Sequence, residues 1–183
     1  MYANELNTEQ TIKLVLAGPV GAGKTTAIRS IADGEPVSTE MPLPDGPIGD
    51  KTTTTVALDF ATVLLDDGQP LFVYGLPGQE HFAFLRPMML EGALGVILVL
   101  DGASADIAAQ CRQWLVSLRE IDPALAVVVG ITRTDVAGSF DLGAVRAAVR
   151  ACGAAIPIPI LTFDARDPLQ TTQLVRTLLL QLD

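Results

Sequence analysis

The segment Gly18-Pro-Val-Gly-Ala-Gly-Lys-Thr25 is the feature that most restricts how this chain can fold. In a G-x-x-x-x-G-K-[ST] turn between a strand and a helix, successive backbone N–H groups converge on a phosphate group. That context is present, because Thr11 to Leu16 is strand-like and the residues after the turn are helical to about Ala32. The segment therefore predicts an α/β domain built around a phosphate-binding turn, rather than a glycine-rich turn with a chance lysine.

Strand-like apolar runs alternate with helical patterns along the chain. Asp67-Gly68 between two such runs predicts a hairpin, whereas residues 34–51 read as a long loop rich in proline, glycine and acidic residues. The pattern predicts one α/β P-loop NTPase domain with a six-stranded, mostly parallel sheet, one antiparallel hairpin strand and about five flanking helices. The domain is expected to span residues 11–183, after an N-terminal extension of residues 1–10.

Composition narrows the partners and the compartment. The 183 residues suffice for one full core, and 12 basic against 21 acidic residues give a net charge of −9. This acidic balance argues against nucleic acid or anionic membrane as the main partner. Two cysteines without metal-like spacing, and no secretory signal, predict reduced thiols in a cytoplasmic protein. No apolar run approaches the roughly 20 residues of a membrane span, and no lipid anchor is expected from the termini.

The glycine-rich turn supplies the candidate phosphate-binding residues. Lys24 is expected to bridge the β- and γ-phosphates of a nucleotide, which also makes it a candidate catalytic residue. Thr25 is expected to give its hydroxyl to Mg²⁺, and the helix N-terminus adds partial positive charge. The binding residues expected here are Gly18, Val20, Gly21, Ala22, Gly23, Lys24, Thr25 and Thr26.

Four threonines, Thr52 to Thr55, directly precede or begin the second strand. A threonine at this place in a nucleotide switch reaches the metal and the γ-phosphate and lets go after hydrolysis. Thr55 is favoured as the metal ligand, with Thr54 next, because these two lie closest to the strand. The alternative is that a run of threonines is simply favourable β-sequence.

Pro77-Gly78-Gln79-Glu80 follows the hairpin and reads like a loop that senses the γ-phosphate. The Gly78 N–H is expected to contact that phosphate, and Gln79 is expected to orient the attacking water. Gly75 stands where such a loop normally carries an aspartate that binds the waters on Mg²⁺. Since supporting contacts of this kind are typically worth about 10–100-fold in metal affinity, weak Mg²⁺ binding is expected when GDP is bound.

The segment HFAFLRPMML after this loop is unusually apolar, and Glu80 to Glu91 is expected to form an irregular helix interrupted by Pro87. Exposed aromatic and methionine side chains are typical anchors of protein interfaces. A partner is therefore expected to dock here, although core packing is the alternative for each apolar residue. The residues concerned are Phe82, Phe84, Leu85, Met88 and Met89.

Two further loops follow the last two strands and could bind a purine base. In Ile131-Thr-Arg-Thr-Asp135, the carboxylate of Asp135 can accept hydrogen bonds from the guanine N1–H and 2-amino group, which adenine lacks. Arg133 is expected to lie along the purine and ribose, and Thr132 to tie the loop to the glycine-rich turn. After the last strand, the Ala165 N–H is expected to donate to guanine O6, with Arg166 beside it. Either loop alone could be an ordinary connection.

These five motifs, in this order, resemble those of the small Ras-like GTPases, and the resemblance extends over nearly the whole chain. Within that superfamily the chain is most similar to the bacterial MglA-like polarity and gliding-motility GTPases. These share the missing switch aspartate, the Pro77-Gly78-Gln79 sequence and the Thr-x-x-x-Asp-Phe run at Thr55 to Phe60. The resemblance implies a cytoplasmic GTP/GDP switch with Mg²⁺, slow alone and helped by a small roadblock-type dimer, with effectors on both switch loops.

The sequence departs from the family at two places. Thr132-Arg-Thr-Asp135 replaces the usual Asn-Lys-x-Asp, and Thr54 replaces an arginine that some relatives carry. A regulatory GTPase is the first hypothesis, and a GTP-binding scaffold with negligible hydrolysis is the alternative. A metabolic kinase is disfavoured, because residues 34–51 lack the arginines of a lid. Asp101 is expected to hold loop backbone rather than metal.

Overall fold

The computed structural model describes residues 12–34, 37–42, 55–138, 140–153 and 157–182, with the backbone alone for 37–42 and 55–57. The N-terminal extension predicted at residues 1–10 lies outside the described residues. In chain order the elements are β1 (Ile12–Ala17), α1 (Lys24–Ile31), β2 (Val37–Pro42), β3 (Thr55–Leu64), β4 (Pro70–Gly75), a 3₁₀ helix (Glu80–Leu85), α2 (Arg86–Leu90), β5 (Gly95–Asp101), α3 (Ile107–Ile121), β6 (Ala126–Thr132), α4 (Leu142–Ala151), β7 (Ile160–Thr162) and α5 (Pro168–Leu179).

The strands of the described segments form one sheet in the order β2-β3-β4-β1-β5-β6-β7. The pairs from β4 through β1, β5 and β6 to β7 are parallel, and β3 is antiparallel to β4. The predicted fold class is confirmed, with β1 and β3–β7 as the six expected strands and five α-helices around them.

The structure adds the edge strand β2 within the segment that we expected to be a long loop. β2 pairs antiparallel with β3, from Val37 opposite Phe60 to Pro42 opposite Thr55. The outer edge of β3 would otherwise carry a row of unpaired backbone groups, and β2 covers the first six of its ten residues. Proline and acidic residues suggested a loop, but Pro42 lies at the very end of the strand, where it is tolerated.

The sheet is packed on both faces, which explains the chain's 49% hydrophobic content. Alternate residues of β1 pack on the two opposite faces of the sheet. Leu14 packs in the core that contains α1 and α5, and Val15 packs in the core that contains α2, α3 and α4. Because β1 and β4–β7 are parallel to one another, they all end at one edge of the sheet, where ligands of such folds bind.

The segment after β4 is more regular than expected. A 3₁₀ helix runs into α2, and Pro87 lies in the first turn of α2 rather than interrupting a helix. Proline is well suited there because a first-turn N–H has no partner within the helix. The expected irregular helix is present as these two consecutive helices, and Pro87, which follows Arg86 in the first turn of α2, does not interrupt α2.

Across the described residues, none of the helices has both the length and the apolar character that crossing a membrane requires.

Candidate functional site

Two adjoining cavities lie at the carboxyl ends of the parallel strands. The first, of about 330 Å³, lies between the glycine-rich turn and the loop after β4. The second, of about 600 Å³, lies between the turn and the loops after β6 and β7. Gly21 lines both cavities, so the two form one continuous surface.

The cavities bring together nearly all the residues predicted from the sequence. The first is lined by Val20, Gly21, Lys24, Thr25, Gly78 and Gln79. The second is lined by Gly21, Ala22, Gly23, Thr26, Thr132, Arg133, Asp135, Ala165 and Arg166. Gly18 lines neither cavity. The side chain of Thr55, and all of Thr52 to Thr54, lie outside the described residues, so the metal ligand predicted there stays a prediction.

Close backbone packing explains why the first residue of the turn, Gly18, is a glycine. A Cβ atom on Gly18 would lie 2.0 Å from the carbonyl oxygen of Val99, and the residue has a φ of 137°. Only glycine allows both features, because it has no side chain and tolerates positive φ. The turn therefore packs directly against β5, and this packing fixes the position of the turn at the end of the sheet.

Lys24 is buried at the base of the first cavity. Its Nζ donates hydrogen bonds of 2.7 Å to the carbonyl oxygens of Gly18 and Pro19. Burial lowers the pKa of Lys24 to about 8, and the nearby charge of Asp59 opposes this shift. Two backbone carbonyls therefore hold the amine inside the turn, and these are contacts that phosphate oxygens could replace.

Asp59 is the functional residue that the sequence reasoning missed. The Thr25 hydroxyl donates to its Oδ2 atom, and both residues line the first cavity. Asp59 lies directly opposite Gly75 in the antiparallel β3–β4 pair, so the two residues face the same side of the sheet. A Cβ atom on Gly75 would lie 3.0 Å from Asp59 Cβ. Gly75 itself has no carboxylate, but Asp59 places one beside Thr25 from the neighbouring strand.

The hairpin turn contains the signal that could have revealed this pairing. Gly68 has a φ of 81° and donates its N–H to Leu65 O, while Leu65 N donates to Gln69 O. The loop therefore has three residues, which is a common hairpin geometry with glycine in the left-handed position. Counting back along both strands from this loop places residue 59 opposite residue 75. A two-residue loop at Asp67-Gly68 would shift the pairing by one residue.

Packing at Gly75 predicts that even alanine is unfavourable there. A Cβ atom would lie 2.9 Å from Ile28 Cδ1, in addition to its contact with Asp59. We expect Gly75→Ala to lower the free energy of unfolding by about 1–3 kcal/mol, because overpacking forces neighbours to shift. Gly138→Ala is the matched control, since a Cβ there has no neighbour within 4 Å. Equal unfolding free energies for the two variants in denaturant titrations would contradict this packing.

The loop after β4 lies directly against the glycine-rich turn. A Cβ atom on Gly78 would lie 2.5 Å from the Val20 backbone nitrogen. The next residue, Gln79, precedes the 3₁₀ helix with extended backbone angles, and its side chain makes no capping hydrogen bond. Its carboxamide is exposed at the rim of the first cavity, available to a water molecule.

The loop after β6 is tied to the turn by side chains. Thr132 Oγ1 donates to Ala22 O at 2.8 Å and to Leu100 O at 3.2 Å. Arg133 has a positive φ of 53° and forms an ion pair with Asp101, with a further hydrogen bond of 3.3 Å to Gly21 O. Asp101 also accepts from the Ala103 N–H, so it holds loop backbone as expected. The Arg133 guanidinium thus contacts both the glycine-rich turn and the end of β5.

The remaining base-loop residues surround the second cavity. Asp135 is exposed there, rather than buried. Asp164 accepts hydrogen bonds from the Arg166 side chain and backbone, and this lowers the pKa of Asp164 to about 2. Asp164 was not singled out from the sequence, and its contacts fix Arg166 beside Ala165. Asp167 accepts hydrogen bonds from the first N–H groups of α5 and so fixes the end of this loop.

The apolar segment after Gln79 divides between core and surface. Leu85 and Met89 are buried, as core packing requires, whereas Phe84 is 52% exposed and Met88 is 38% exposed. Phe84 and Met88 are thus the residues of this segment whose exposure fits contact with a partner.

No family model matches the chain. It is 30% identical over 118 residues to the Ras-related protein RHN1 of Nicotiana plumbaginifolia, covering 64% of this chain and 52% of that protein. The values are the same for the Ras-related protein Rab5 of Nicotiana tabacum. For the Ras-related protein Rab-18-B of Danio rerio, the chain is 28% identical over 108 residues, covering 57% of this chain and 47% of the other.

The chain spans about half the length of the curated relatives that it matches. The chain is therefore similar, over 57–65% of its length, to Ras-related proteins.

Proposed function

We propose that this protein is a small regulatory GTPase, which binds GTP or GDP with Mg²⁺ and hydrolyses GTP slowly. The observation that carries the proposal is the continuity of the two cavities. Lys24 and the Thr25–Asp59 pair lie in the first, and Asp135 lies in the second. A nucleotide with its phosphates in the first cavity and its base in the second would contact both sets of residues at once.

The residues of the first cavity have the properties that phosphoryl transfer to water requires. Lys24 would exchange its two carbonyl partners for phosphate oxygens and stabilise their charge. Gln79 would orient the attacking water with its free carboxamide, and Gly78 would bring a backbone N–H close to the γ-phosphate. Because these groups are held by the turn and the sheet, little reorganisation would be needed when the nucleotide binds.

The donor set of Thr25 and Asp59 fits Mg²⁺, which favours oxygen ligands and usually takes only one or two from the protein. Thr25 would provide its hydroxyl, and Asp59 would accept from the ion's waters or from the hydroxyl itself. When bound, Mg²⁺ would neutralise charge on the β- and γ-phosphates. Thr55 stays a candidate additional ligand from the segment that begins β3.

Asp135 would select guanine, because its carboxylate can accept from both the N1–H and the 2-amino group. The base itself would bury the exposed carboxylate, and this increases the discrimination against adenine. The Ala165 N–H would donate to O6, with Arg166 held beside it by Asp164. Arg133 would give up part of its contact with Asp101 and would instead lie along the face of the purine.

Hydrolysis by the protein alone should be slow, with a rate constant of about 10⁻⁴ s⁻¹, as for unassisted small GTPases. No arginine is found among the described residues that line the first cavity. A partner that inserts one would accelerate turnover by roughly 10³–10⁵. We propose an MglA-like switch in the cytoplasm, with a roadblock-type dimer or another regulator docking beside Phe84 and Met88.

The nucleotide released from the purified protein by denaturation, identified by chromatography, tests this function. GTP or GDP is expected, with phosphate release from GTP but not from ATP. Turnover above about one per second would contradict the need for a partner, because unassisted enzymes of this type are about 10³ to 10⁴ times slower. Guanine nucleotide without any phosphate release would instead favour the scaffold function.

A further inference from the structure

Arg86 is a buried arginine outside both cavities. It begins α2, seven residues after Gln79, and its side chain is only 6% exposed. Arginine is rarely buried unless its guanidinium is paired. The partners of this group lie on two different elements, and this makes Arg86 a connection between the loop after β4 and helix α3.

On one side, Arg86 makes close and largely buried contacts with α3. Nη1 donates to Ser117 Oγ at 2.9 Å, and the guanidinium carbon lies 4.2 Å from the centre of the Trp114 ring. Stacking of this kind is favourable for a guanidinium, which is planar and weakly hydrated. Trp114 itself is buried in the core together with the other inward-facing residues of α3. The arginine is thereby fixed to a fifteen-residue helix.

On its other side, Arg86 contacts Glu80 beside the loop after β4, and this contact is weaker and more exposed. Nη2 donates to Glu80 Oε2 at 3.2 Å, and the Glu80 side chain is 70% exposed. A cavity of about 480 Å³ lies beside this bond, between the 3₁₀ helix and α3, so Glu80 has room to move away. Within the described residues, the Arg86 Nε atom is buried without a hydrogen-bond partner. The bond from Glu80 to Arg86 is thus the part of the connection that can open.

Glu80 directly follows Gln79, whose backbone is therefore tied to α3 through Glu80. We propose that Arg86 is a positioning residue for GTP hydrolysis: it holds Glu80 against α3 and thereby sets the orientation of Gln79. We call the set of Glu80, Arg86, Trp114 and Ser117 the Arg86 clasp. This inference rests on the proposed function, because it concerns the residue that would orient the attacking water.

Glu80→Gln is the variant that tests the clasp, because the exposed side chain keeps its size and loses its charge. Single-turnover phosphate release should fall roughly tenfold, since small displacements of a catalytic group have large effects on rate. The dissociation constant for GTP should stay within about twofold, because positioning acts in the transition state rather than in binding. Glu120→Gln is the matched control: Glu120 lines the same cavity but makes no hydrogen bond to Arg86.

A double variant tests whether the two residues act together. If Glu80 acts only through Arg86, Glu80→Gln should cause no further loss of rate in an Arg86→Lys background. Additive losses in the double variant, or a parental rate in Glu80→Gln, would overturn the proposal while leaving the GTPase function intact.

Trp114 is the chain's single tryptophan and gives a readout that needs no hydrolysis. Its emission in the nucleotide-free protein should differ between the parent and Glu80→Gln, because the guanidinium stacked on it has lost a charged partner. Glu120→Gln should leave the emission unchanged. Emission that is identical in all three proteins would overturn the clasp even if the rates differ. A parent that binds and hydrolyses no GTP would instead refute the proposed function, and the positioning role with it.

Discussion

Asp135→Asn is expected to weaken GTP binding by about 10⁴-fold, the typical loss when a site built to hydrogen-bond one group meets a mismatched one. The amide keeps one oxygen that can accept from the guanine N1–H, but its NH2 group faces the 2-amino donor, so one hydrogen bond is lost and two donors are left opposed to each other. The variant should fold normally, because Asp135 is exposed and lines the second cavity. Equilibrium titration with a fluorescent GTP analogue measures the effect.

A nucleotide with altered base edges separates lost recognition from general damage. Xanthine carries a carbonyl oxygen where guanine carries the 2-amino group, so it can accept from the asparagine amide. Asp135→Asn should therefore bind xanthosine triphosphate more tightly than GTP, which reverses the preference of the parent. If the variant binds GTP as tightly as the parent does, Asp135 does not contact the base.

Gln79→Leu should reduce single-turnover hydrolysis by about 10²-fold or more, because the attacking water loses the group that orients it. The affinity for GTP should hardly change, since the side chain lies at the rim of the first cavity and makes no capping bond. Phosphate release from preloaded radiolabelled GTP measures the rate. The same variant should resist stimulation by any partner, because the partner's contribution acts on the same aligned water.

Gln69→Leu is the matched control for this variant. Gln69 is an exposed glutamine that directly follows the hairpin loop, and it does not line the first cavity. Leucine there should leave hydrolysis unchanged. Hydrolysis by Gln79→Leu at the parental rate would show that another group orients the water.

The fold was largely predictable from the sequence because its signals are local. The alternation of apolar strands with amphipathic helices, and the glycine-rich turn between β1 and α1, both depend on residues that are neighbours in sequence. Strand β2 was not predictable in this way, because Val37–Pro42 pairs with β3 across a long connection. Its formation depends on the free edge of a neighbouring strand rather than on its own composition.

The candidate site was predictable where a motif specifies it, as at Lys24 and Gln79. Asp59 was missed because its role arises from pairing with Gly75 across the hairpin, where a three-residue loop sets the register. Arg86 was missed because helix signals show neither burial nor the contact with Trp114 on α3. Both residues act through contacts between segments far apart in sequence, which is information that a single sequence pattern does not contain.

We propose that Asp59 provides the carboxylate that position 75 lacks, so that the chain retains a Mg²⁺ site. The most direct measurement is the rate of GDP release as a function of free Mg²⁺ in the parent and in Asp59→Asn. This variant keeps the side-chain shape and removes the charge. Asp66→Asn, at an exposed aspartate of the same hairpin that pairs with Arg176, is the control.

Asp59→Asn should require about 10–100 times more Mg²⁺ to slow GDP release by half, the usual cost of removing a supporting carboxylate. Asp66→Asn should follow the parental curve. If Asp59→Asn also follows the parental curve, the metal is held elsewhere, and Asp59 does not replace the missing aspartate.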